Sequence, residues 1–311
     1  MTAIRLALDW TPNTLHTGFY VALATGSYQR AGLDVQITTP EADHYQTTPA
    51  RQLAGGAVDL AVMPSESVIS YHANDPDSQF VAIATLLSRD ASAIVTLKQN
   101  GLDRPQQLDG RVYASYNARF EDDIVKQMIR NDGGRGQFVS HKPERLGIWH
   151  TLLTNEADAT WIFLPWEGVE AELRGVELNK FLLEEYEIPY GYSPLLVANR
   201  DWLATNADAL QRFMQASAAG YQFAVAQPDE AARMLAETAN HPTLANREFL
   251  EMSQQSASGY YLSGTNWGIM RREVWNGFVN WLIRHDLIID REGEKIQHID
   301  VDRLFTNQFV K

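Results

Sequence analysis

Short apolar runs alternate with helix-patterned segments through residues 1–87, and this alternation most narrows the folds open to the chain. "IRLALDW" reads as a strand, after which Leu15, Phe19, Ala22 and Leu23 recur at i, i+4, i+7 and i+8, the spacing of one helical face. Gly32 is the expected end of that helix, and "LDVQI" starts a second strand. A helix around "TPARQLAG", a strand "AVDLAVM", a helix opening at "PSESVISYHA" with Ser65 as its expected N-cap, and a strand "FVAIATLL" follow. Successive strands joined through helices require crossover connections. The expected result is an open, mostly parallel sheet with helices on its faces.

A second series begins near Ala91 with "SAIVTLK" and "GRVYASY". The helix "FEDDIVKQMI", with Phe120, Ile124 and Met128 one turn apart, then leads to "FVSH" and "ADATWIFL". After a break at "IPYG" and the strand "YSPLLVAN", the pattern turns helical over 202–226, 228–239, 246–257 and 269–286. Two α/β lobes followed by a helical return imply a discontinuous first domain. We expect residues 1–89 with 192–311 to form lobe 1 and residues 90–191 to form lobe 2. Crossings near 87–92 and 187–194 would serve as the hinge. The length of 311 residues suits two domains at roughly 150 residues each.

Composition excludes several chemistries. There is no cysteine, which removes disulfides, thiolate metal sites, iron–sulfur clusters and cysteine nucleophiles. A net charge of −13 with no basic run argues against nucleic acid or an anionic membrane as partner. No run approaches the ~20 apolar residues of a membrane span, so membrane insertion is not expected. "MTAIRLALDW" has no basic segment, apolar core and cleavage site. Either the protein works in the cytoplasm, or the chain is a mature extracytoplasmic domain carrying a new Met1. Acyl-hydrolase, zinc-protease, phosphate-loop and dinucleotide motifs are missing, and "GGRG" at 133–136 reads as a turn. The eight histidines are scattered; His16, His44 and His72 could form a metal set if their loops meet, but neither metal nor cofactor is expected.

Ligands of open α/β sheets bind beyond the carboxyl ends of the strands. That rule selects Asp9, Trp10, Asn13 and His16 after the first strand, and Pro64, Ser65 and Glu66 after the third. In the second lobe it selects Ser115, Tyr116, Asn117 and Arg119, then Trp166 and Glu167; Tyr190 and Tyr192 sit at the return crossing. Indoles, phenols and acids in loops suit a flat, polar, nitrogen-containing ring, stacked by aromatic faces and held through its N–H groups by a carboxylate. A sugar could use the same side chains. Each residue also has a plainer role: Trp10 as a core cap, Asp9 or Asn13 as a helix cap, Glu167 as an acid favoured at a helix start, and the two tyrosines as hinge stiffeners. Trp267, Trp275 and Trp281 read as core.

"LDWTPNTLHTGFYVA", "GSYQRAGLDVQI", "GGAVDLAVMPSESV", "PWEGVE" and "GYSPLLVANRDWL" occur in this order along nearly the whole chain. In these motifs it resembles the thiamine-pyrimidine family, which comprises ABC-transporter solute-binding proteins for aminopyrimidine thiamine precursors and the fungal thiamine pyrimidine synthases that share their fold. The resemblance implies a periplasmic-binding-protein type II fold, two α/β lobes with a hinge and an interlobe ligand cleft. It implies Trp10 as a stacking wall with Asn13 beside it and the "PSES" loop lining the first lobe. It further implies Glu167, next to Trp166, as the acid on the ring nitrogen and exocyclic amine, with Tyr190 and Tyr192 closing the other side. The partners it implies are a small aminopyrimidine and, if the protein is exported, an ABC permease.

The synthase branch uses a lysine carrying pyridoxal phosphate, a reacting histidine, and iron beside a cysteine-rich motif. In the matching stretch "AVMPSESV", Met63 stands in place of the lysine and Ser67 in place of the histidine, and "YGYSPLL" replaces the cysteine-rich segment. A Schiff base needs an amine, which Met63 lacks. The synthases' glycine-rich phosphate loop is "ASYNAR" here, where Arg119 and backbone N–H groups remain able to hold a phosphate. The sequence therefore points to the binding branch. The alternatives are a cytosolic synthase-like enzyme of thiamine biosynthesis and a regulatory sensor that kept the binding fold.

Overall fold

The computed structural model describes residues 1–143, 147 and 149–310. Two compact units divide the chain: Met1–Asp90 with Gly191–Val279 and Ile288–Lys311, and Ala91–Tyr190 with Asn280–Leu287.

The first unit opens with β1 (Thr2–Ala7), a single 3-10 turn at Thr14–His16, α1 (Thr17–Ala24) and α2 (Ser27–Arg30). The single helix expected up to Gly32 is broken at Gly26, whose φ of 69° is a left-handed conformation that ends one helix and turns the chain into the next. Then come β2 (Leu33–Thr38), α3 (Pro49–Ala54), β3 (Leu60–Met63), α4 (Ser65–Asn74) and β4 (Phe80–Thr85). Ser65 is not the N-cap of α4. Pro64 takes that extended position, and Ser65, as the first helical residue, donates its hydroxyl to Glu66 Oε2 at 3.2 Å.

The second unit contains β5 (Ser92–Leu97), β6 (Val112–Ala114), α5 (Glu121–Asn131), β7 (Val139–His141) and α6 (His150–Leu153). It continues with β8 (Ala159–Phe163), one π-helical turn at Leu164–Gly168, α7 (Val169–Leu173) and β9 (Leu178–Phe181). Its sheet has the order β7-β6-β8-β5-β9. β9 was not anticipated from sequence. It is an edge strand, and its polar pair Asn179–Lys180 breaks the apolar run that would have marked it.

The chain returns to the first unit as β10 (Leu195–Asn199), followed by α8 (Arg200–Ala226), α9 (Pro228–Ala239), α10 (Arg247–Tyr261) and α11 (Arg272–Arg284). β10 inserts antiparallel between β3 and β4, giving the order β2-β1-β3-β10-β4. The sheet is therefore mixed, with β1, β2 and β3 parallel. α1 lies against α8 at a contact only glycine permits: a Cβ on Gly220 would sit 2.0 Å from the Gly18 carbonyl oxygen. Around it Phe19, Tyr28, Phe213, Tyr221 and Trp267 form an aromatic core, with Tyr221 stacked on Trp267 at 4.4 Å. Trp267, Trp275 and Trp281 are all buried, as expected of core residues.

Candidate functional site

Strand directions decide which loops meet. β10 runs against both β3 and β4, so β4 runs with β1, β2 and β3. The carboxyl ends of those four strands and the start of β10 share one edge of the first sheet. Every residue selected from the first unit follows one of these strand ends or precedes β10.

At the β1 end, residues 11–17 are all buried. Asn13 caps the 3-10 turn: its Oδ1 accepts from the Leu15 N–H at 2.8 Å and its Nδ2 donates to the Thr11 carbonyl at 3.1 Å. The amide is thereby engaged at both ends. Hydroxyls from α8 and α10 fix the same turn. Tyr221 donates to the Leu15 carbonyl at 2.8 Å, Tyr261 donates to the Thr14 carbonyl, and Thr14 shares a 2.8 Å hydrogen bond with Ser253. His16 is fully buried with Nε2 at 2.9 Å from Asp9 Oδ1, while Trp10 is partly buried.

Ser65 and Glu66 are buried at the β3 end. The Ser65 N–H donates to the Tyr192 carbonyl at 2.9 Å, and Gly191 allows this approach, since a Cβ there would lie 2.4 Å from Ser65 Oγ. Tyr192 is itself buried, its hydroxyl accepting the Arg271 N–H at 2.8 Å. Sequence reasoning passed over two residues on this edge. Tyr45 follows β2 and is 44% exposed, with a left-handed φ of 61°, and Arg89 follows β4 with its guanidinium 4.4 Å over the Tyr260 ring. The signal for Tyr45 was available in its place after a parallel strand. The histidines do not converge, because His72 Nε2 is engaged by the Phe80 carbonyl at 2.8 Å, and among the described residues no group of three or more His, Asp or Glu side chains is placed to hold a metal ion.

In the second unit β6, β7 and β8 run parallel, and the loops after β6 and β8 leave the same edge. After β8 the π turn carries Trp166 and Glu167, both partly buried. Glu167 Oε2 accepts the Phe163 N–H at 2.9 Å. Burial outweighs this bond and pushes the carboxyl up to about 7, with the nearby charge of Glu170 adding to the rise. Burial also raises the Tyr116 phenol, and the negative charge of Glu167, then of Glu121, raises it further, which brings Tyr116 and Glu167 into one electrostatic neighbourhood. Tyr190 packs on Trp161 of β8 with centroids 5.3 Å apart.

The loop after β6 corrects the expectation of a phosphate cradle. Glu121, buried at the start of α5, accepts the Tyr116 N–H at 3.0 Å, the Ala118 N–H at 2.9 Å and the Tyr113 hydroxyl at 2.8 Å. The Asn117 N–H goes to Ser115 Oγ at 3.0 Å. The backbone donors at 116–118 are thus committed within the loop, and Asn117 and Arg119 are exposed.

A family model described as NMT1/THI5 like matches residues 13–231, most of the chain. The chain belongs to the NMT1/THI5-like family. Among the family's curated relatives, it is 26% identical over 294 residues to a formylaminopyrimidine-binding protein from Halalkalibacterium halodurans, covering 92% of this chain and 86% of that one. It is 22% identical to a 4-amino-5-hydroxymethyl-2-methylpyrimidine phosphate synthase from Legionella pneumophila, covering 99% and 92%. Among solved structures, the ligand-binding component of an ABC-type import system from Staphylococcus aureus, crystallised with zinc, superposes with a TM-score of 0.73 at 13% identity, covering 99% and 98%. The fold is that of the periplasmic binding proteins.

Proposed function

We propose that this protein is a solute-binding protein that captures a thiamine-related aminopyrimidine, of the formylaminopyrimidine or hydroxymethylpyrimidine type, for an ABC importer. The observation that carries the reading is Glu167. A carboxyl raised to about 7, with one oxygen held by the Phe163 N–H, can keep a proton on the other at neutral pH. Such a group donates to a pyrimidine ring nitrogen and accepts from the adjacent exocyclic amine, a paired recognition that neither sulfonate nor nitrate offers. Trp10, Trp166 and Tyr116 supply aromatic faces, and the relative from H. halodurans, matched over most of both chains, is named for such a ligand.

The synthase relative sets the rival reading. Against it stands Met63, a buried thioether where that branch carries its reactive lysine. Titration calorimetry with formylated aminopyrimidine, hydroxymethyl aminopyrimidine, thiamine and riboflavin tests the proposal. Heat without turnover is expected for one of the first two, and no heat with any of the four sinks the reading. Trp10→Ala and Glu167→Ala should each weaken binding by about tenfold or more, the scale of one lost hot-spot contact. Unchanged affinity in both would refute the site.

A further inference from the structure

The cap on the first 3-10 turn is Asn13, which leaves Asp9 without that structural task. Its carboxylate accepts one hydrogen bond, from His16, and among the described residues its second oxygen takes no protein hydrogen bond and belongs to a side chain that is 29% exposed. His16 Nδ1 is buried and has no partner. A buried orphan N–H is costlier than a bare ring lone pair, so the proton belongs on Nε2, where it is donated to Asp9 Oδ1. The imidazole is fully buried, and the turn that ends in His16 is held by Tyr221, Tyr261 and Ser253, so packing and a fixed backbone confine the ring. A rigid donor thus holds one oxygen of a carboxylate at the sheet edge used by Trp10 and leaves the other open.

We propose that Asp9 is a ligand-binding residue, its open oxygen accepting from an N–H donor of the aminopyrimidine, and that His16 is the positioning residue that aims it. The assignment rests on the aminopyrimidine reading above. It predicts more than loss of charge for Asp9→Asn: the asparagine oxygen must face the His16 N–H, which turns its NH2 toward the ligand and sets donor against donor. His16→Gln keeps a donor for Asp9, whereas His16→Leu removes it.

The experiment is a double cycle by calorimetry, crossing Asp9→Asn with ligand analogues in which each N–H donor of the formylated aminopyrimidine is replaced in turn by methyl or oxygen. One crossing should be non-additive by about tenfold or more, because the contact it deletes is already gone. His16→Gln should retain most of that coupling and His16→Leu should lose it, with melting temperature measured for each variant. A merely structural role lowers melting temperature without moving the coupling to one ligand group. Additive behaviour in every crossing, with folded Asp9→Asn, overturns the assignment and leaves the function standing. Absence of binding by the wild-type protein overturns both.

Discussion

Glu167 owes its chemistry to the turn that carries it. A π turn after a buried strand brings the carboxyl back onto the Phe163 N–H and out of full contact with water. Its proton is retained from the ordinary 4.5 up to about 7, so the neutral acid survives where an ordinary carboxyl is ionised. Affinity for the aminopyrimidine should therefore hold below about pH 7 and fall as pH rises through it, and in Glu167→Gln this step should vanish from a calorimetric pH series. The same shift has a stability consequence. Between the two values the folded chain binds more protons than the unfolded one, so stability is lost as pH rises through that window, and Glu167→Gln should narrow the gap in melting temperature between its two ends. The sequence marked the acid and its indole neighbour as site candidates by their place after a parallel strand. It did not show that the Asn13 amide is engaged in its own turn, because a cap and a ligand contact call for the same side chain.

Among elements, α5 was readable as a helix, but its N-terminal acids did not reveal which one turns back. Phe120 takes a left-handed φ of 65°, reversing the loop so that Glu121 reaches the N–H groups of Tyr116 and Ala118. A helix start attracts negative charge, and here the chain supplies its own. A phosphate entering this loop would meet committed donors and a buried carboxylate. The phosphate ester of the hydroxymethyl aminopyrimidine should accordingly bind at least about tenfold more weakly than the alcohol, and Glu121→Ala should narrow that ratio. Equal affinity of ester and alcohol for the wild-type protein would contradict the geometry. The strands β1 and β3, which lead to Asp9 and Glu66, were legible from their apolar runs, whereas the edge strand β9 was not, since its pairing comes from β5 and not from its own pattern.

At the scale of the molecule, residues 1–90 look self-sufficient in sequence, an alternation of strands and helices that reads as a finished sheet. The structure assigns its completion to the far end of the chain. β10 lies between β3 and β4, so without it β4 has no neighbouring strand among the described residues, and two isolated bridges, Ala82 to Phe305 and Thr85 to Gly268, would remain as its further pairings. Phe19 and Tyr28 likewise bury their rings against Phe213 and Tyr221 of α8. A strand without partners leaves its backbone groups unsatisfied, and rings without α8 stay in water, each loss large against a net stability of about 5–15 kcal/mol. A chain ending at residue 190 should therefore fail to fold its first unit although it holds four of the five strands. Hydrogen exchange would show this as unprotected amides in Ile4–Ala7 and Val81–Thr85 of the truncated chain, protected in the full one. Native-like protection of β4 in the truncated chain would mean that β1 to β4 close a sheet without β10. The long sequence separation of β10 from its partners also adds loop-closure entropy to the assembly of this sheet, because residues 60–85 must be joined to 195–199 before the central strand can pair.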